Sequence, residues 1–177
     1  MAPGAGATDE ILVHGDPRLR LSARPMAPGE DLGDLPRRLL TGLREHDGIG
    51  LAAPQLGDLR RVVAVTDPSR PEQAPRILVN PEITERFGPQ IPFEEGCLSF
   101  PGLFFNLYRP AGVVVRYHDR DGNEQTLRND DVVARVVQHE VDHLDGVLFI
   151  DHLPRWRRWL LAGRLRRIQR EAGKESA

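Results

Sequence analysis

The sequence predicts an α+β protein in which short antiparallel strands pack around a central helix carrying an HExxH motif, with further helices towards the N- and C-termini. Three observations lead there. Leu35, Leu39, Leu40 and Leu43 repeat at helical spacing. Short β-prone runs bracket turn residues, most clearly around Asp121-Gly122. A segment ending before Gly146 holds His139-Glu140-Val141-Asp142-His143 in a helical apolar pattern. The strands and helices fall in separate groups, without the strict alternation of βαβ units.

Taken in order, residues 1–10 are rich in Gly and Ala and are expected to be disordered. Ile11-Leu12-Val13 leads into a turn at Gly15-Asp16-Pro17. An amphipathic helix is predicted over 34–46, ended by Gly48-Ile49-Gly50. Arg61–Thr66 and Arg76–Val79 read as short strands joined by a Pro- and Glu-containing loop. Gly112–Tyr117 and Glu124–Leu127 read as the arms of a hairpin. The next helix spans 130–144, with Asn129 or Asp130 as its cap, Asp131 at the positive end of its dipole and Gly146 as its stop. A last helix follows Pro154 and runs to about Glu171. The expected organisation is a single catalytic domain over 11–153 followed by a basic helix and tail over 154–177.

Composition narrows the function classes. The chain has 177 residues, 40% hydrophobic and 28% charged, with a formal net charge of −2. That size suits one domain, and the overall charge gives no reason to expect nucleic-acid or membrane binding. Cys97 is the only cysteine, so no intramolecular disulfide can form. The N-terminus lacks the basic and apolar blocks of a signal peptide, and no apolar stretch is long enough to span a bilayer. A cytoplasmic location is the expectation.

The HExxH motif carries the chemistry. Residues i and i+4 share a helical face, so His139 and His143 can reach one ion, and Glu140 can handle a proton beside it. Val132 and Val136 lie on that same face, so the imidazoles point inward with the valines. Buried imidazoles need polar partners, and a metal is one. Cys97, in Glu95-Gly96-Cys97-Leu98-Ser99, can be the third ligand, although a lone thiol is also an ordinary core residue. Two imidazoles and a thiolate leave the open position that a catalytic metal requires.

Three segments together resemble the peptide deformylase family: Gly48-Ile49-Gly50-Leu51-Ala52-Ala53-Pro54-Gln55, Glu95-Gly96-Cys97-Leu98-Ser99, and Gln138-His139-Glu140-Val141-Asp142-His143-Leu144-Asp145-Gly146. The likeness runs from about Ile11 to Asp151. It implies a deformylase-like fold and metal-dependent removal of the formyl group from N-formylmethionine on nascent peptides. It also implies Cys97, His139 and His143 as ligands of one divalent metal, with Glu140 moving a proton from water to the leaving amine. The Gln55 side chain and the Leu98 backbone N–H would face the oxyanion, and Gly50 would line the substrate backbone. Ile49, Val132, Val136 and His139 are candidates for the methionine pocket, and Arg135 for substrate contact at its rim. Fe2+ is the implied native metal, with Zn2+, Ni2+ or Co2+ also compatible with the ligand set.

Two features are particular to this chain. Phe104 and Phe105 occupy a stretch where family members often carry an Arg, while Arg109 matches a common family position and is placed to pair with Glu95. The C-terminal segment gathers Arg155, Arg157, Arg158, Arg164, Arg166, Arg167 and Arg170 around Leu161, Leu165 and Ile168. A docked helix with a solvated basic face explains this, and so does ribosome contact near the exit tunnel, as the family implies. The resemblance further implies a monomeric bacterial enzyme of the cytoplasm. Two other functions use parts of the same pattern: a general HExxH peptidase, and a metal-containing protein without activity. Cys97 as a ligand argues against the first, and the presence of Gln55 and Glu140 against the second.

Overall fold

The computed structural model describes residues 10–175, so the expected disorder of residues 1–10 falls, Glu10 apart, outside the described residues. Five strands form one antiparallel sheet in the order β1-β2-β3-β4-β5: β1 Gly50–Ala52, β2 Val62–Val65, β3 Arg76–Gly96, β4 Phe104–His118 and β5 Glu124–Asn129. Three α-helices accompany it: α1 Leu35–Glu45, α2 Val132–Leu144 and α3 Arg155–Glu175. Among the described residues no helix is long and apolar enough to cross a membrane.

Alternation along the strands explains how both helices are held. Val62 and Ala64 join a core cluster with Leu35, Leu39 and Leu43 of α1. Val63 and Val65 point the other way, into a cluster with Val133, Val136, Val137 and Val141 of α2. β1, β2 and the first residues of β3 are thus buried on both faces, which is why Val62-Val63-Ala64-Val65 is continuously apolar. Each fully buried Val or Leu here contributes about 1.5–3 kcal/mol of apolar burial. A third cluster joins Leu19, Phe100, Leu103, Leu107 and Phe149 to Ile168 of α3, with Leu161 and Leu165 packed against it.

The strands differ from expectation in length. The predicted pieces at Arg76–Val79 and Gly112–Tyr117 belong to β3 of 21 residues and β4 of 15 residues. These two form a long hairpin through a region rich in Pro and Gly. Its register shifts between Val79 and Glu82, Ile83 and Glu85, and Phe87 and Gln90, so the prolines sit among irregularities that relax the ladder. The predicted Asp121-Gly122 turn does join β4 to β5, with the Asp119 carboxylate accepting from the backbone N–H groups of Asp121 and Asn123.

The cap of α2 also needs correction. Asp131 is the N-cap, its side chain accepting from Val133 N–H at 2.8 Å. Asn129 accepts from Ala134 N–H at 2.7 Å, whereas Asp130 lies exposed and is not the cap. The helix stops with Gly146 at φ 72°, and α3 runs past the predicted Glu171 to Glu175.

Candidate metal centre and catalytic pocket

Two elements build the centre. Helix α2 is buried at nearly every residue, so His139, Glu140 and His143 lie inside the protein. The end of β3 delivers Gly96 and then Cys97, and the Phe100 N–H donates to the Cys97 carbonyl in the turn that follows. One ligand atom each from Cys97, His139 and His143 falls within 4.8 Å of the others. Cys97 Sγ lies 3.2 Å from His143 Nε2.

The ring of His139 is fixed from behind. Its Nδ1 donates to Glu95 Oε2 at 3.0 Å, turning Nε2 away from that carboxylate. Glu95 is itself gripped by Arg109, which donates from Nε at 2.8 Å and from Nη2 at 3.0 Å, and by Arg135 at 3.2 Å. Arg109 also donates to Asp142 Oδ2 at 2.7 Å, and His152 Nε2 lies 2.7 Å from the same oxygen. Burial alone would raise the Glu95 carboxyl, but the hydrogen bonds from His139 and Arg109 bring it down to about 2.

The neighbouring titrations follow from the same packing. Burial pushes the Glu140 carboxyl up to about 7, opposed by His139 and aided by the charge on Glu95. Burial also holds His143 well below its ordinary value, leaving a lone pair available for a ligand. Burial works against charge on His139 too, but Cys97 and then Glu95 hold its pKa well above the ordinary value. Glu140 Oε2 is buried with no hydrogen-bond partner, as is His143 Nδ1. A soft sulfur, two imidazoles and an unpartnered buried carboxylate oxygen beside them fit a divalent transition metal.

A cavity of ≈ 610 Å³ opens beside this centre, lined by Gly48–Gly50, Gln55, Phe93–Leu98, Phe104, Arg135, Val136, His139 and Glu140, among others. Gln55 is buried at its back. Its Oε1 accepts from Ala52 N–H at 2.9 Å, which aims Nε2 towards Ser99 Oγ at 3.1 Å and Cys97 Sγ at 3.8 Å. Gly50 has to be glycine, since a Cβ there would lie 2.6 Å from Val136 Cγ1 and would also strike the Glu140 carboxylate.

The structure therefore gathers Ile49, Gly50, Gln55, Cys97, Leu98, Arg135, Val136, His139 and Glu140 around one cavity, with His143 completing the cluster behind. Val132 is not brought there. It is half-buried at the start of α2, packed against the core cluster beneath the sheet. Arg135 reaches the lining, but it is buried, and it donates to Glu95 and to the carbonyls of Ile91 and Leu107. Sequence reasoning missed Glu95 as the support of His139. A signal was present: Glu95 lies two residues before Cys97, near the end of a β-prone run, a spacing that can send both side chains to the same side. It also missed Ser99, Asp142 and Phe93.

A thiol and two imidazoles converging beside a buried carboxyl and an aimed amide define the class of metal-dependent hydrolases. The polypeptide deformylase family model matches residues 8–159. A peptide deformylase of Picosynechococcus is 44% identical over 147 residues, covering 81% of this chain and 78% of that protein. Peptide deformylase 2 of Xanthomonas campestris is 40% identical, covering 90% of this chain and 95% of that protein. Among solved structures, the peptide deformylase of Thermus thermophilus superposes with a TM-score of 0.82 at 38% identity, covering 92% of this chain and 98% of that one. The peptide deformylase of Synechococcus elongatus, solved in complex with actinonin, gives 0.79 at 36% identity, covering 92% and 86%. The chain belongs to the polypeptide deformylase family, hydrolases that remove the formyl group from proteins.

Proposed function

We propose that this chain removes the formyl group of N-formylmethionine on nascent proteins through Cys97, His139, His143, Glu140, Gln55 and Leu98. The observation that carries the reading is the convergence of the three ligand atoms within 4.8 Å beside the buried Glu140 carboxylate, whose Oε2 has no hydrogen-bond partner.

Cys97, His139 and His143 would hold one divalent metal, Fe2+ natively, with Zn2+, Ni2+ or Co2+ as alternative occupants. Bound there, it supplies Lewis-acid activation of water and of the formyl carbonyl. Glu140 accepts the proton of the attacking water and returns it to the departing amine. Its burial, which pushes the carboxyl up, suits it to hold a proton between the two steps. The Gln55 amide, oriented by its bond to Ala52, and the Leu98 N–H stabilise charge on the formyl oxygen in the tetrahedral transition state. Gly50 leaves room for the substrate backbone. Ile49, Val136 and the His139 ring receive the methionine side chain, and Arg135 shapes this wall from beneath.

Seven arginines of α3 favour an acidic partner, and Arg155, Arg157, Arg166 and Arg170 are exposed. Ribosomal RNA near the nascent-chain exit fits that chemistry and the site of substrate production, the bacterial cytoplasm. The working unit we propose is a monomer. Formate release from formyl-Met-Ala-Ser by anaerobic, Fe2+-loaded protein tests the central reading. Glu140→Ala should retain one metal per chain and lose turnover by about 10²–10⁴-fold. Turnover that survives in Glu140→Ala would remove the mechanism.

A further inference from the structure

We propose that Phe104 is a specificity determinant, forming an aromatic ledge that favours a large apolar or aromatic side chain immediately after the formylmethionine. The inference rests on the deformylase reading and adds a substrate preference to it.

Phe104 is the most exposed of the large apolar residues that line the catalytic cavity. Its side chain is 62% exposed, yet it lines the catalytic cavity. It pairs across the hairpin with Gly96, the residue before Cys97. A Cβ on Gly96 would lie 2.5 Å from Phe104 Cε1, so the ring rests directly on the glycine backbone. The ring is thus seated against the strand end that bears the metal-binding thiol, with much of its surface left uncovered.

The direction of the neighbouring side chains assigns the ledge to one substrate residue. β2 pairs with β3 only over Arg76–Val79, so Phe93–Gly96 have β4 on one side and the cavity on the other. Gly48–Gly50 also line the cavity. An extended peptide laid along the free edge of Phe93–Gly96 sends successive side chains to opposite faces. The face towards α2 bears Glu95, bonded to His139 and Arg135, and Phe93, whose ring lies 5.6 Å from the Arg135 guanidinium carbon. That is the side of Val136 and His139, where the methionine goes. Gly96 and Phe104 belong to the other face, because their side-chain directions alternate with that of Glu95. The side chain after methionine therefore turns towards Phe104.

Covering a half-exposed aromatic ring with a second apolar side chain is worth about tenfold in affinity. The experiment compares kcat/KM for formyl-Met-Xaa-Ser peptides with Xaa as Phe, Leu, Ala and Asp. The wild type should favour Phe over Ala by about tenfold, with the difference in KM. Phe104→Ala should bring that ratio close to one, and Phe104→Leu should restore part of it. Tyr108→Ala, an exposed ring outside the cavity lining, should keep the wild-type ratio. A wild type indifferent to Xaa, or a preference that persists in Phe104→Ala, overturns the proposal. Calorimetric titration of the same peptides into metal-loaded Glu140→Ala protein separates the two readings. Graded affinity with no turnover by the wild type would sink the reaction and support the ledge, and uniform affinity with turnover would do the reverse.

Discussion

Replacing Glu95 by Gln tests whether the strand end and the helix are held together through one carboxylate. Glu95 is 5% exposed and accepts from Arg109, Arg135 and His139 at 2.8–3.2 Å. Removing its charge leaves two buried guanidinium groups facing an amide that offers one acceptor. Breaking a buried ion pair from one side costs about 3–5 kcal/mol. The pH dependence gives a separate figure. The folded carboxyl lies at about 2 against an ordinary 4.5, which corresponds to about 3 kcal/mol. Because the folded value is depressed, that stability is fully present above pH 4.5 and is lost as pH falls towards 2. Urea unfolding at pH 7 should therefore show Glu95→Gln less stable by about 3–5 kcal/mol, with a flatter decline between pH 4.5 and 2 than the wild type. His139 also loses the acceptor for its Nδ1–H, so competition with a chelator should show metal affinity down by about 10–100-fold. A variant within about 1 kcal/mol of the wild type and equal in metal affinity would refute the reasoning.

Other perturbations test separate parts of the pocket. Gln55→Ala should lower kcat by about 10²–10³-fold with little change in KM, read by steady-state formate release, because the oriented amide acts on charge that develops in the transition state. Gly50→Ala should destabilise the fold by about 1–3 kcal/mol in urea titration and impair turnover, since the added methyl meets Val136 and Glu140. Stripping the metal with a chelator should abolish turnover and lower the unfolding temperature, and Fe2+ should restore more activity than Zn2+. Val132→Ala should leave KM for formyl-Met-Ala-Ser within about twofold, because Val132 packs on the core away from the cavity lining.

What could be read from the sequence divides along a physical line. Within one helix, periodicity and chemistry coincide: His139, Glu140 and His143 come together as their spacing predicts because α2 fixes that spacing without help from the rest of the chain. Val132 shows the limit of that inference. It shares the helical stripe of Val136, but one turn nearer the N-terminus, and there the stripe has already passed from the cavity to the core. The β3–β4 hairpin was hidden for a different reason. Pro81, Pro89, Pro92 and Pro110 erase the β-strand signature, and most residues from Glu82 to Glu94 are exposed and so lack an alternating apolar pattern. Pairing between the two arms holds this hairpin, and pairing leaves no periodic trace in either arm.

The pairing of Arg109 with Glu95 was expected, but its consequence was not. Glu95 reaches across 44 residues of sequence to orient a ligand on α2, while Arg109 ties the same carboxylate to Asp142 inside the HExxH motif. Each of these residues taken alone looks like an ordinary surface charge. All of them are buried or nearly so, and a buried charge persists only when its partners compensate for the lost water. The cluster thus links the strand end that presents Cys97 to the helix that presents both imidazoles. Such a link holds the three ligand atoms close enough for one ion. It predicts that damage to Arg109 or Glu95 will appear in fold stability and metal affinity, and through these in turnover, whereas damage to Glu140 will lower turnover with the metal still bound.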